Sequence, residues 1–138
     1  MKASELRIGN WVDVGMKEDI EEFGTDLHNV VVSEISTKSI TYNKIGLASM
    51  IIVKPIPLTE EWLLKFGFVE DAQIFDIQYY EKQFLKAATL SIQLCNGICE
   101  KRNASIGYDL EWIFIGDIIY VHQLQNLYHA LTGKELTI

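Results

Sequence analysis

Short β-branched, apolar segments separated by Gly, Asn and Ser punctuate the first third of the chain: Leu6 to Val14, Val30 to Ser36 and Ser39 to Tyr42. That pattern predicts short strands. The chain's two prolines then fall together in Val53-Lys54-Pro55-Ile56-Pro57-Leu58, each forcing the residue before it into extended geometry, which marks the boundary between two halves. Beyond them a helix is predicted over 60–66. Thr59 stands at its cap, Leu58 is placed to pack on Leu63, Glu60 and Glu61 oppose the positive helix end, and Gly67 stops it. Phe75, Ile77 and Tyr79 alternate with polar residues, as do Leu90, Ile92 and Leu94, which predicts two strands with one wet face each. Asn96-Gly97 is the strongest hairpin signal, since both residues tolerate the positive φ of a type I′ turn. Leu110 to Ile115 is apolar on both faces of an extended chain, so an interior strand covered on both sides is expected. From Val121 the period becomes helical. Val121, Leu124, Leu127, Tyr128 and Leu131 share one third of the wheel, and Gly133 ends a helix at 121–132.

These elements predict an α+β protein. Residues 1–54 form a small β-barrel-like half, and residues 55–138 an α+β half in which antiparallel strands over about 73–121 pack with two helices. The halves are expected either as two domains or as one continuous domain. The spacing Leu6-Arg7-Ile8-Gly9-Asn10-Trp11-Val12, followed by Val32-x-x-Ile35-x4-Ile40, looks like the opening of SH3-like small barrels, a resemblance of fold from which no function is carried.

Composition narrows the function classes. With 138 residues, 49% hydrophobic and 11% aromatic, the chain has ample apolar surface to fold, and it is long enough for one core without a disulfide or metal staple. A net charge of −7 works against a duplex-DNA binder, which needs a concentrated basic face. The acidity is local, however: residues 15–29 carry −4 and residues 60–81 carry −5, so the remainder is mildly basic. Cys95 and Cys99, spaced C-x3-C with no second pair, indicate neither a zinc site nor a disulfide framework and read as reduced thiols. The acids of 15–29 do not alternate as a calcium loop requires. Glu5 and Arg7 interrupt the apolar run a signal peptide needs, and the longest uncharged apolar run, Ile45 to Val53, is far short of a membrane span. A cytoplasmic protein without membrane association, metal or cofactor is expected.

Three sets of residues carry candidate chemistry. On the C-terminal helix His122, Gln125, Asn126 and His129 lie opposite the apolar stripe as a polar ridge, a solvated face or a binding surface. In the N-terminal half Arg7, Trp11, Lys38, Tyr42 and Lys44 combine base and aromatic character suited to single-stranded nucleic acid. Asp109 and Glu111, two apart on one strand, with His122 as a titratable partner, make the candidate catalytic set of a small hydrolase. No nucleophile elbow, P-loop or dinucleotide fingerprint is present.

The blocks Pro55-Ile56-Pro57-Leu58-Thr59-Glu60-Glu61-Trp62-Leu63-Leu64-Lys65-Phe66-Gly67-Phe68 and Val121-His122-Gln123-Leu124-Gln125-Asn126-Leu127-Tyr128-His129-Ala130-Leu131-Thr132-Gly133-Lys134-Glu135-Leu136, with the Leu6–Val12 start, resemble a family of small proteins of phages and integrated mobile elements of gut Bacteroidetes. The resemblance covers about a quarter of the chain. It implies a cytoplasmic accessory protein of a mobile element and brings no activity, cofactor or catalytic residue; position 129 is His where the family leads one to expect an aromatic. The leading expectation is therefore a non-enzymatic accessory or interaction protein, with a protein partner or homo-oligomer. Single-stranded nucleic-acid binding and a small hydrolase are the alternatives.

Overall fold

The computed structural model describes residues 1–14, 29–44, 46–50, 52–95, 102–108 and 111–138. In chain order the elements are a 3-10 turn Ala3–Glu5, then β1 Trp11–Val14, β2 Val30–Ile35, β3 Ser39–Tyr42, β4 Gly46–Ser49, β5 Val53–Lys54, α1 Glu60–Lys65, β6 Val69–Ile74, β7 Ile77–Leu85, β8 Ala88–Cys95, β9 Arg102–Tyr108, β10 Glu111–Asp117 and α2 Val121–Thr132. The protein is α+β and mostly strand, with two five-stranded antiparallel sheets. The chain divides into two compact units, residues 1–57 with 120–135, and residues 58–119 with 136–138.

In the first unit the strand order is β4-β3-β2-β1-β5. Alternation dictates which side chains meet. Val12 stands opposite Val30 and Val14 opposite Val53, so these valines point to one face, while Trp11 and Val31 pair on the other. Leu6, Val12, Val14, Val30, Val32, Ile40, Ala48 and Val53 make the core of this unit. Among the described residues β4 and β5 are not paired with each other, so the sheet is open and no closed barrel forms. The strand expected from Leu6 begins only at Trp11. Residues Leu6 to Asn10 turn instead, because Gly9 takes φ +93° and Asn10 Oδ1 accepts the Arg7 backbone N–H at 2.7 Å.

Helix α2 was expected in the second half, yet it belongs to the first unit. The proline segment holds it there. Val121 N–H donates to Ile56 O at 2.9 Å, and Tyr120 forms an isolated bridge with Pro57. Gly133 closes the helix in left-handed geometry, with its N–H on His129 O at 2.8 Å.

In the second unit the sheet is a meander, β10-β9-β8-β7-β6. Tyr80, Ile92 and Ala104 stand side by side across β7, β8 and β9, all buried, and Leu90 and Leu94 share their face. Helix α1 ends one residue before the expected Phe66. Its cap residue Thr59 is extended, but the hydroxyl makes no cap bond. At the other end Lys82 Nζ donates to Phe66 O at 2.7 Å, placing a cation where the helix leaves unpaired carbonyls. Trp62 and Leu63 are buried, and Lys65 reaches back to Glu61 at 2.7 Å and over the Trp62 ring.

The strand expected to be interior, Leu110 to Ile115, contributes the outermost strand instead. Among the described residues β10 pairs with β9 alone, and Trp112 to Ile115 are exposed rather than covered. The acidic loop residues 15–28, the Asn96-Gly97 turn, Cys99, Asp109 and Leu110 lie outside the described residues. No described helix is long and apolar enough to cross a membrane.

Candidate functional site

The polar ridge of α2 is turned inward along much of its length. Gln125 is almost wholly buried, and its amide makes two complementary bonds: Oε1 accepts the Trp11 N–H at 2.8 Å, and Nε2 donates to Gly9 O at 3.1 Å. Asn126 works one step further out. Its Oδ1 accepts from Asn10 Nδ2 at 3.0 Å, and its Nδ2 donates to Glu5 O at 3.0 Å. These two amides bind backbone groups at Glu5, Gly9 and Trp11, on either side of the turn between the 3-10 turn and β1, which Gly9 N–H and Asn10 O also tie to Val32 of β2. Arg7 completes the arrangement by pairing with Glu135 at 2.6 Å, and His129 lies 3.7 Å from the same carboxylate. Gln125 and Asn126 thus serve the fold of the first unit rather than a solvated face.

His122 differs from its neighbours on the ridge. It is buried, its ring stacks on Tyr120 with centroids 5.8 Å apart, and Nδ1 has no hydrogen-bond partner. Burial lowers its pKa, and the Glu5 carboxylate opposes that shift only in part. The imidazole is therefore neutral near pH 7. It borders a cavity of about 560 Å³ that Lys2, Glu5, Pro55, Tyr120 and Gln123 also line, a size that suits a small molecule. The cavity offers a neutral imidazole, one acid and one base. None of those residues is a serine, threonine or cysteine, and the described residues contain no cluster of three or more metal-ligating side chains.

The candidate hydrolase set is not assembled within either unit. Asp109 lies outside the described residues, Glu111 starts β10 in the second unit, and His122 belongs to the first. The nucleic-acid set is also divided. Arg7 is held by Glu135, Lys38 and Lys44 are exposed, and Tyr42 packs against the apolar core. Trp11 is on the opposite face of the sheet from the core valines, so the two aromatics form no common stacking platform.

What the sequence reading did not find is the open edge of β10. Trp112, Ile113, Phe114 and Ile115 are 54%, 60%, 62% and 42% exposed, four consecutive large apolar residues without a charge among them. Trp112 stands directly across from Gly107, and a Cβ there would come within 2.9 Å of the indole ring. The missing side chain lets the indole lie against β9. No family model, curated protein or solved structure matches this chain.

Proposed function

We propose that this chain is a non-enzymatic interaction protein, a cytoplasmic accessory component of a phage or mobile element, that engages a protein partner through β10. The observation that carries the reading is the exposed Trp112-Ile113-Phe114-Ile115 run on a strand that, among the described residues, is the edge of its sheet. Contiguous exposed apolar surface at a strand edge is the requirement for strand addition, in which backbone groups supply affinity and alternate side chains supply specificity. The mobile-element assignment rests on the resemblance of the Pro55–Phe68 and Val121–Leu136 blocks. The first unit is read here as a small SH3-like barrel left open, since its order returns β5 beside β1. A photoreactive phenylalanine analogue placed at Phe114, and for comparison at the exposed Leu47 of β4, tests the interaction reading in cells. Crosslinked protein adducts from position 114 and none from position 47 are expected. No adduct from position 114 removes the reading.

A further inference from the structure

The second sheet has two edges, and they are built differently. β6 carries Glu70 and Asp71 and a bulge between Glu70 and Ala72, and charge and bulging are the devices by which natural edges resist pairing. In the first sheet the edges are short, four residues in β4 and two in β5. β10 has an acid at each end, Glu111 and Asp117, and a bulge between Phe114 and Gly116, but Trp112 to Phe114 between them are uncharged and pair in unbroken register with β9. Among the described edges it is the one that presents three consecutive large, exposed apolar side chains, Trp112, Ile113 and Phe114, in regular register.

The geometry points to a second copy of this chain as the occupant, with β10 pairing antiparallel to its own counterpart so that two five-stranded sheets become one of ten. This rests on the interaction reading above and names its partner. Symmetry limits the register. An edge strand presents the N–H and C=O of alternate residues, so two identical edges match only when the two-fold axis passes through a residue facing its own copy. With the axis at Ile113, Ile113 meets Ile113 on one face, while on the other Trp112 meets the second copy's Phe114 twice, once on each side. Aromatic and β-branched cross-strand pairs are those that stabilise antiparallel sheets most. With the axis at Phe114, Trp112 would face a glycine and Glu111 would face Asp117, a like-charge pair that costs stability. The axis at Ile113 is therefore the register this strand encodes.

The area agrees with a reversible dimer. Four side chains, each roughly half exposed, leave on the order of 400 Å² per copy. Edge pairing covers only part of that area, because these side chains stand on the two sheet faces, so the interface is small, below the roughly 1,200 Å² of stable complexes. Association is thus expected at about micromolar concentrations.

Sedimentation equilibrium of the purified full chain tests this first without any variant. A species of twice the chain mass that dissociates on dilution is expected, and a monomer throughout the micromolar range would overturn the proposal. Ile113→Lys, which sets two like charges on the axis, should leave a monomer with an unchanged circular dichroism spectrum. A persistent dimer in that variant would place the interface elsewhere. Ile113→Cys fixes the register: under mild oxidation it should form a disulfide between two copies that peptide mapping locates at 113, because directly opposed residues bring Cα atoms within disulfide reach. The same bond forming preferentially in Phe114→Cys would refute the axis at Ile113. If the chain is monomeric and yet position 114 crosslinks to a different protein, self-pairing fails and the interaction reading stands.

Discussion

Gln125 shows how much a single amide does in the first unit. It is buried, and both of its polar atoms are used, one on each side of the Gly9 turn. Gln125→Ala would orphan the Trp11 N–H and the Gly9 carbonyl and leave a cavity, so a loss of about 2–4 kcal/mol is expected in urea denaturation. The sequence placed Gln125, Asn126, His122 and His129 correctly on one side of a helix. It could not say that this side meets backbone rather than water, because helical periodicity separates polar from apolar positions and is silent on what the polar side faces. His122 adds a pH dependence with a definite sign. Its pKa is lowered in the folded chain, chiefly by burial, from an ordinary value of 6.5. The unfolded chain therefore binds the proton more tightly, and stability present above pH 6.5 is lost as pH falls below it through the folded pKa. Thermal melts between neutral and mildly acidic pH should show this decline, and His122→Asn should flatten it. Tyr80 is a buried polar group of another kind. Its hydroxyl is buried without a well-formed hydrogen bond, and burial, then the nearby Glu60 carboxylate, hold its proton well above the usual tyrosine range. Tyr80→Phe removes an unsatisfied group and is expected to be neutral or stabilising by up to about 1 kcal/mol in the same denaturation assay.

At the scale of elements, β2, β3, α1 and α2 were legible within one or two residues, since each has a clean period and a glycine, proline or acidic boundary signal. The Leu6 to Asn10 segment was not, because apolar Leu6 and Ile8 follow a strand alternation while Gly9 and Asn10 impose a turn. β10 was misread for a deeper reason. An apolar run on both faces is the pattern of a strand covered on both sides, and it is equally the pattern of a strand that awaits a cover. Only the strand order separates the two. Gly107 is the local support of that edge, and Gly107→Ala should push the Trp112 ring off β9. The expected cost is about 1–3 kcal/mol, with a shifted tryptophan emission as the optical check.

At the scale of the whole molecule, the charge distribution and the apolar edge tell one story. Acids concentrate in residues 15–29 and 60–81, and within the second sheet they guard β6 while leaving the middle of β10 bare. The cavity around His122 is lined by Lys2, Glu5, Pro55, Tyr120 and Gln123, and the basic and aromatic residues of the first sheet are spread over two faces. The exposed run on β10 is the feature on which the proposed interaction rests. The most direct measurement is backbone amide exchange across residues 111–117 in the purified chain, taken at high concentration and after roughly hundredfold dilution. Self-pairing predicts that the outward-facing amides of the strand, at alternate positions, exchange slowly in the concentrated sample and become fast on dilution, while those bonded to β9 stay slow in both. Fast exchange of the outward amides at every concentration would contradict it.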